Sequence, residues 1–196
     1  MSEENNRFSI YSDEELMVFI SEGKVAAFDE LYRRYSDRLM VYFVRMLNFN
    51  RTQAEDALQD LFVKIVERPG AFDPTKSFKT WIFSVASNCC KNYYRHKEVV
   101  QKNELEIKHM STQEEDHFFK LASQLDAKTF RNMLDDLLLT LSPEKKEAFL
   151  LKYQEDRTIS EIAEIQNCPQ GSVKSRLHYT IKMLEEKLKM FDPIKS

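Results

Sequence analysis

The sequence predicts an all-α protein of two small helical domains joined by an acidic linker, the second domain ending in a helix-turn-helix. Three observations predict it. Only Gly23, Gly70 and Gly171 are glycine in a chain of 196 residues, far below the usual share of about 7%. That leaves little material for tight hairpins or phosphate-cradling loops, so an all-β fold, a Walker loop and a dinucleotide fingerprint are excluded. Apolar residues recur at spacings of three and four on both sides of a polar stretch. The stretch itself carries Glu98, Glu104, Glu106, Glu114, Glu115 and Asp116 against Lys102 and Lys108, with few large apolar residues, the composition of a linker.

The elements follow in order. Ser12-x-x-Glu15 is a capping box that opens a short helix ending near Gly23. From Val25, the residues Phe28, Leu31, Tyr32, Tyr35, Leu39, Tyr42, Phe43 and Met46 form the apolar stripe of a long helix. A third helix runs from about Thr52 to Arg68, with Ala54, Ala57, Leu58, Leu61, Phe62 and Ile65 as its buried stripe. Pro69-Gly70 and Pro74 break the chain before a fourth helix, from about Ser77 to His96. Four helices with short connections make a bundle over residues 1–97. The linker spans 98–129. Periodicity is strong again from Phe130 to Leu141, Ser142-Pro143 caps a helix to about Tyr153, and two more follow, Ile159–Gln166 and Gln170–Lys189. Residues 130–196 are thus a second helical domain.

Cys89, Cys90 and Cys168 make no C-x-x-C pair, so neither a disulfide framework nor a thiolate zinc site is expected, and no cofactor is. The start, MSEENNRF, is polar and acidic, unlike a signal peptide, and no apolar run approaches the roughly 18 residues of a membrane span. A cytoplasmic protein is expected. The net charge of −3 hides an uneven distribution. Residues 1–73 carry −5 and residues 98–164 carry −6, whereas residues 74–97 hold five basic residues and no acid, and residues 165–196 carry +3. Basic islands in an acidic chain are the footprint of a phosphate backbone.

Three helical faces carry candidate chemistry. Asn167 stands at the turn before the last helix, where φ > 0 is needed and Asn tolerates it. On that helix Val173, Leu177, Ile181, Leu184 and Leu188 face the core at 100° per residue. Ser175, His178, Tyr179 and Lys182 lie opposite, Lys174 and Arg176 flank them, and Ser172 opens the helix. Hydroxyls, an imidazole and cations in that position suit base edges and phosphates in a major groove. On the third helix, Asp56, Gln59, Asp60 and Val63 project away from the buried stripe, and an apolar residue exposed among carboxylates suits a partner surface. The fourth helix and its approach combine Lys76, Lys79, Lys91 and Arg95 with Trp81, Asn88, Asn92 and two tyrosines. Cations hold phosphates, while Asn and aromatics hold unstacked bases.

In their order and spacing these features resemble the bacterial RNA polymerase sigma factors of the small extracytoplasmic-function (ECF) type. The resemblance rests on residues 25–47, Ala54-Glu55-Asp56-Ala57-Leu58-Gln59-Asp60-Leu61-Phe62, Phe78-Lys79-Thr80-Trp81-Ile82, Ala86-Ser87-Asn88, Leu141-Ser142-Pro143, Glu161-Ile162-Ala163 and Cys168-Pro169-Gln170-Gly171-Ser172-Val173-Lys174-Ser175-Arg176-Leu177. It implies a second and a fourth sigma domain without the third. Asp56 and Gln59, with Asp60 and Val63, match the surface that docks on the coiled coil of the polymerase β′ subunit. The loop from Phe72 to Ser77, and Asn88, match the region that captures a flipped base of the minus-ten element, in company with Lys76, Lys79, Lys91, Asn92 and Arg95. The last helix matches the reader of the minus-thirty-five element, and its domain meets the β flap. Core polymerase and promoter DNA are the partners implied for a monomeric, non-enzymatic protein, with room for an anti-sigma factor. The sequence departs from the family at Asn167, Ser172 and His178, where Gly, Thr and Arg are frequent.

Two other readings compete. A two-domain helix-turn-helix regulator would share the last helix but has no need of the Asp56/Gln59 face. An enzyme could be read into Glu106-x-x-His109 and Glu114-x-x-His117, the spacing of di-iron bundles, but these pairs lie eight residues apart in the polar linker.

Overall fold

A computed structural model of the chain describes residues 7–100 and 127–189. The chain divides into two compact units, residues 1–102 and 103–196. Every regular element among the described residues is helical.

The first unit holds α1 (Asp13–Ser21), α2 (Val25–Met46), α3 (Arg51–Glu67), a 3-10 turn at Pro69–Ala71 and α4 (Phe78–Val100). The capping box forms as read: Ser12 N–H donates to Glu15 Oε2 at 2.8 Å and Glu15 N–H to Ser12 Oγ at 3.2 Å. Gly23 takes φ 80° just after α1. α3 starts one residue before Thr52 because the Asn50 side chain caps it, accepting from Gln53 N–H at 3.1 Å. The chain reverses between α2 and α3 through Asn48 and Phe49, both left-handed at φ 56° and 62°. The core is made by Leu16, Met17 and Ile20 of α1, Leu31, Tyr35, Leu39, Tyr42 and Phe43 of α2, Leu61, Phe62 and Ile65 of α3, and Phe78, Ile82, Phe83 and Ala86 of α4. Side chains also tie the helices: Arg34 bonds Asp13 Oδ1 and Glu30 Oε1, each at 2.7 Å, and Tyr94 of α4 donates to the Met46 carbonyl that ends α2.

The second unit holds α5 (Ala127–Thr140), α6 (Pro143–Tyr153), α7 (Ile159–Gln166) and α8 (Gln170–Lys189). Met133, Leu137, Phe149, Leu150, Ile162, Ile165, Val173, Leu177, Ile181 and Leu184 close its core. Thr158 and Glu161 form a second capping box, which Arg157 supports from 2.6 Å. Asn167 adopts φ 52°, ψ 56°, and Cys168 N–H reaches back to the Ala163 carbonyl at 3.0 Å, which makes the tight turn of a helix-turn-helix. Ser142 precedes α6 but makes no side-chain cap; its carbonyl accepts from Lys146 N–H instead. Of the linker expected at 98–129, the first three residues continue α4 and the last three open α5. The rest of it, with both E-x-x-H pairs, lies outside the described residues.

Candidate functional site

α3 presents the four residues expected to meet a partner, and all are exposed. At i, i+3, i+4 and i+7 they follow one another along one face of the helix, which borders two hollows. Gln59 and Val63 line a groove of about 570 Å³ with Phe28 and Tyr32 of α2 and Leu58, Phe62 and Val66 of α3. Asp56 and Asp60 line a smaller cleft of about 310 Å³ against α4, with Gln53, Lys64, Cys89, Asn92 and Tyr93. Phe28 and Tyr32, assigned to the core stripe by spacing, are half-buried and 44% exposed respectively. Their rings meet Phe62 at 6.0 and 4.7 Å, which leaves one flank open. Val63, expected to be exposed, is 44% exposed, and Val66, at 54%, extends it into an apolar strip that the sequence reading did not include. In the cleft, burial pushes the Cys89 thiol up, against the pull of Lys64 Nζ at 3.7 Å from its sulfur; a thiol so held is a poor nucleophile.

α4 shows Asn88, Asn92 and Arg95 on one exposed face, at i, i+4 and i+7, with Lys91 half-buried beside them. Arg95 Nη1 bonds Asn92 Oδ1 at 3.3 Å. Lys76 is exposed in the preceding loop and Lys79 is half-buried in the first turn. The loop is set by Asp73, which accepts from Thr75 Oγ1 at 2.7 Å and Thr75 N–H at 3.0 Å. These bonds, the hydroxyl first, hold its carboxyl below the usual range.

Phe72, expected among the DNA contacts, is 4% exposed. Its ring packs on Phe78 at 5.4 Å and under Trp81 at 5.3 Å. It anchors the loop from beneath, because a phenyl ring gains more from this aromatic cluster than from solvent.

On α8, Lys174, Ser175 and Lys182 are exposed, and Ser172 and His178 are half-buried. Two expected readers turn away. Arg176 Nη1 donates to Gln166 Oε1 at 2.6 Å and lies 3.1 Å from Cys168 Sγ. Gln166, itself buried, donates onward to the Glu144 carbonyl at 2.9 Å and Glu147 Oε2 at 3.0 Å. Arg176 therefore ties α8 to α7 and α6. Tyr179 leans back over α6: its hydroxyl is buried and the Lys145 ammonium lies 4.8 Å from its ring centre. A helical wheel gives the direction in which a side chain leaves, not where a long one ends.

No group of three or more His, Cys, Asp or Glu among the described residues is arranged to hold a metal. No helix among them is long and apolar enough to cross a membrane.

Residues 31–99 match the family described as Sigma-70 region 2 and residues 131–184 match Sigma-70, region 4. RNA polymerase sigma factor CarQ of Myxococcus xanthus is 26% identical over 167 residues, covering 85% of this chain and 92% of that protein. ECF RNA polymerase sigma factor SigW of Bacillus subtilis is 26% identical over 182 residues, covering 87% and 93%. Among solved structures, the sigma factor RpoE in complex with the anti-sigma factor NepR, from Bartonella quintana, shares the fold with a TM-score of 0.61 at 22% identity, over 84% of this chain and 98% of that one. CnrH in complex with the cytosolic domain of CnrY shares it at 0.58 and 21%, over 94% and 99%.

Proposed function

The chain belongs to the sigma-70 family as an RNA polymerase sigma factor of the ECF type, which directs transcription initiation, and from that premise we propose how its surfaces divide the work. Residues 1–97 dock on core polymerase and open the minus-ten element, residues 130–196 read the minus-thirty-five element, and residues 98–129 join them. The observation that carries the docking assignment is the open face of α3. The apolar strip of Tyr32, Val63 and Val66 beside Gln59, with Asp56 and Asp60 next to it along α3, has the apolar centre and polar rim of an interface. The β′ coiled coil is its intended occupant, and an anti-sigma factor would compete for it.

Promoter opening falls to α4. Extruding a base costs a few kcal/mol, offset here by Asn88, whose amide offers both a donor and an acceptor to a base edge. Lys76, Lys79, Lys91, Asn92 and Arg95 hold the backbone of the melted strand. On α8, Ser172, Lys174, Ser175, His178 and Lys182 face the duplex, and Arg176 and Tyr179 support the helix from behind. The protein contributes recognition and no catalytic step, as a monomer in the cytoplasm where polymerase acts. At a net charge of −3 the free chain binds DNA weakly, and core polymerase supplies the remaining attraction.

The test is a titration of core enzyme with Asp56→Arg/Gln59→Ala. Both residues are exposed, so helix content should stay as in the parent, while affinity for core falls roughly tenfold or more. Unchanged affinity would remove this face from the interface.

A further inference from the structure

The start of α4 is held by a residue that precedes the region 2 match. Ser77 caps it locally, accepting from Thr80 N–H at 3.3 Å. The free amide of the first turn, Phe78 N–H, donates at 2.9 Å to Glu14 Oε1 of α1, sixty-four positions earlier in the chain. The region 2 match begins only at residue 31. A carboxylate at a helix N-terminus gains twice, from the hydrogen bond and from the aligned peptide dipoles.

Glu14 is delivered to that amide by an element with little freedom of its own. Leu16, Met17 and Ile20 bury the inner face of α1. Neighbouring Asp13 is gripped by Arg34 at 2.7 Å and by the Tyr35 hydroxyl. Tyr35 in turn lies 5.3 Å from the Phe78 ring, which also meets Phe72 and Trp81. The brace, the loop anchor and the first turn of α4 are therefore one packed block. Asn88 lies ten residues along the same helix, about 15 Å from that block at 1.5 Å per residue, so a small tilt at Phe78 moves the amide that must meet a base.

We propose that Glu14 is a positioning residue for promoter opening: it fixes the entry of α4 and the loop before it, and so sets Asn88 and its cationic neighbours. The inference rests on the sigma-factor reading of α4, and its test separates the two. The parent and full-length Glu14→Ala, Glu14→Gln and Glu15→Ala are assembled with core polymerase on promoters drawn from a random library. Glu15→Ala breaks the capping box of the same helix but not the bond to Phe78, so it reports what a weaker α1 does by itself. The expected result is that Glu14→Ala forms roughly fivefold fewer open complexes, read as permanganate reactivity of promoter thymines, since a charge-assisted bond is lost. Core affinity and closed-complex binding stay within about twofold, which the same loss leaves untouched at distant surfaces. Glu14→Gln, whose amide oxygen still accepts from Phe78, recovers most of the opening, and Glu15→Ala opens promoters as the parent does. Equal opening by Glu14→Ala and the parent, or an equal defect in Glu15→Ala, would overturn the positioning role and leave the sigma-factor reading intact. A parent that opens no promoter with core enzyme would overturn that reading and this inference with it.

Discussion

Asn167 shows how much one residue can announce. It holds φ 52° at the turn between α7 and α8, a conformation that costs ordinary residues about 1–2 kcal/mol. Asn and Gly are the residues that escape most of it, so the turn was legible from the sequence alone. Asn167→Ala should therefore destabilise the second unit by about 1–2 kcal/mol, and Asn167→Gly should stay within about 0.5 kcal/mol of the parent. Hydrogen exchange of the α7 and α8 amides checks both. Phe72 and Arg176 were not legible in the same way, because their surroundings are set by partners distant in sequence. Phe72 is buried by Phe78 and Trp81. Arg176 meets Gln166 ten residues back, and Gln166 looks like a surface amide until the fold buries it against Glu147. A cation in a basic island reads as a phosphate contact until such a partner is seen.

Each helix was legible as an element because its signals are local: the capping box at Ser12, Pro143 in the first turn of α6, Gly23 after α1. What one helix lends another was not. The groove beside α3 is walled by Phe28 and Tyr32 of α2, whose rings meet Phe62 of α3, and no single periodicity contains that. For α8 this difference separates variants. Lys174 is exposed and Arg176 is bonded inward. Lys174→Ala should lower the salt slope of promoter binding by about one at every promoter. Arg176→Ala should leave that slope unchanged and instead loosen α8 against α7, visible as faster amide exchange. Ser175→Ala should cost roughly 1–3 kcal/mol at one base pair and relax the choice there. On α4, Asn88→Ala should impair open-complex formation more than closed-complex binding, and equal permanganate reactivity in mutant and parent would take Asn88 out of the site.

Over the whole molecule, acidic stretches alternate with basic islands, and some of the acid is structural. Glu30 is buried on α2, and its carboxylate accepts from Arg33 at 2.7 and 2.9 Å and from Arg34 at 2.7 Å. Arg33 above all, and Arg34 with it, hold its carboxyl below the ordinary glutamate value of 4.5, against the opposing effect of burial. Arg34 also grips Asp13, so this network joins α1 to α2 and supports the element that carries Glu14. A carboxyl depressed in the folded state binds protons more readily when unfolded. Its contribution is complete above the unfolded value and is lost as the pH falls from about 4.5 through the folded value. The first unit should therefore lose stability in that acid range, whereas Glu30→Gln should be less stable at pH 7 and lose less on acidification. Trp81 is the sole tryptophan and lies in the first unit, so its fluorescence during urea unfolding between pH 7 and pH 3 reports that unit alone. Parallel curves for parent and Glu30→Gln across the range would show that the network is held by packing and not by its charge.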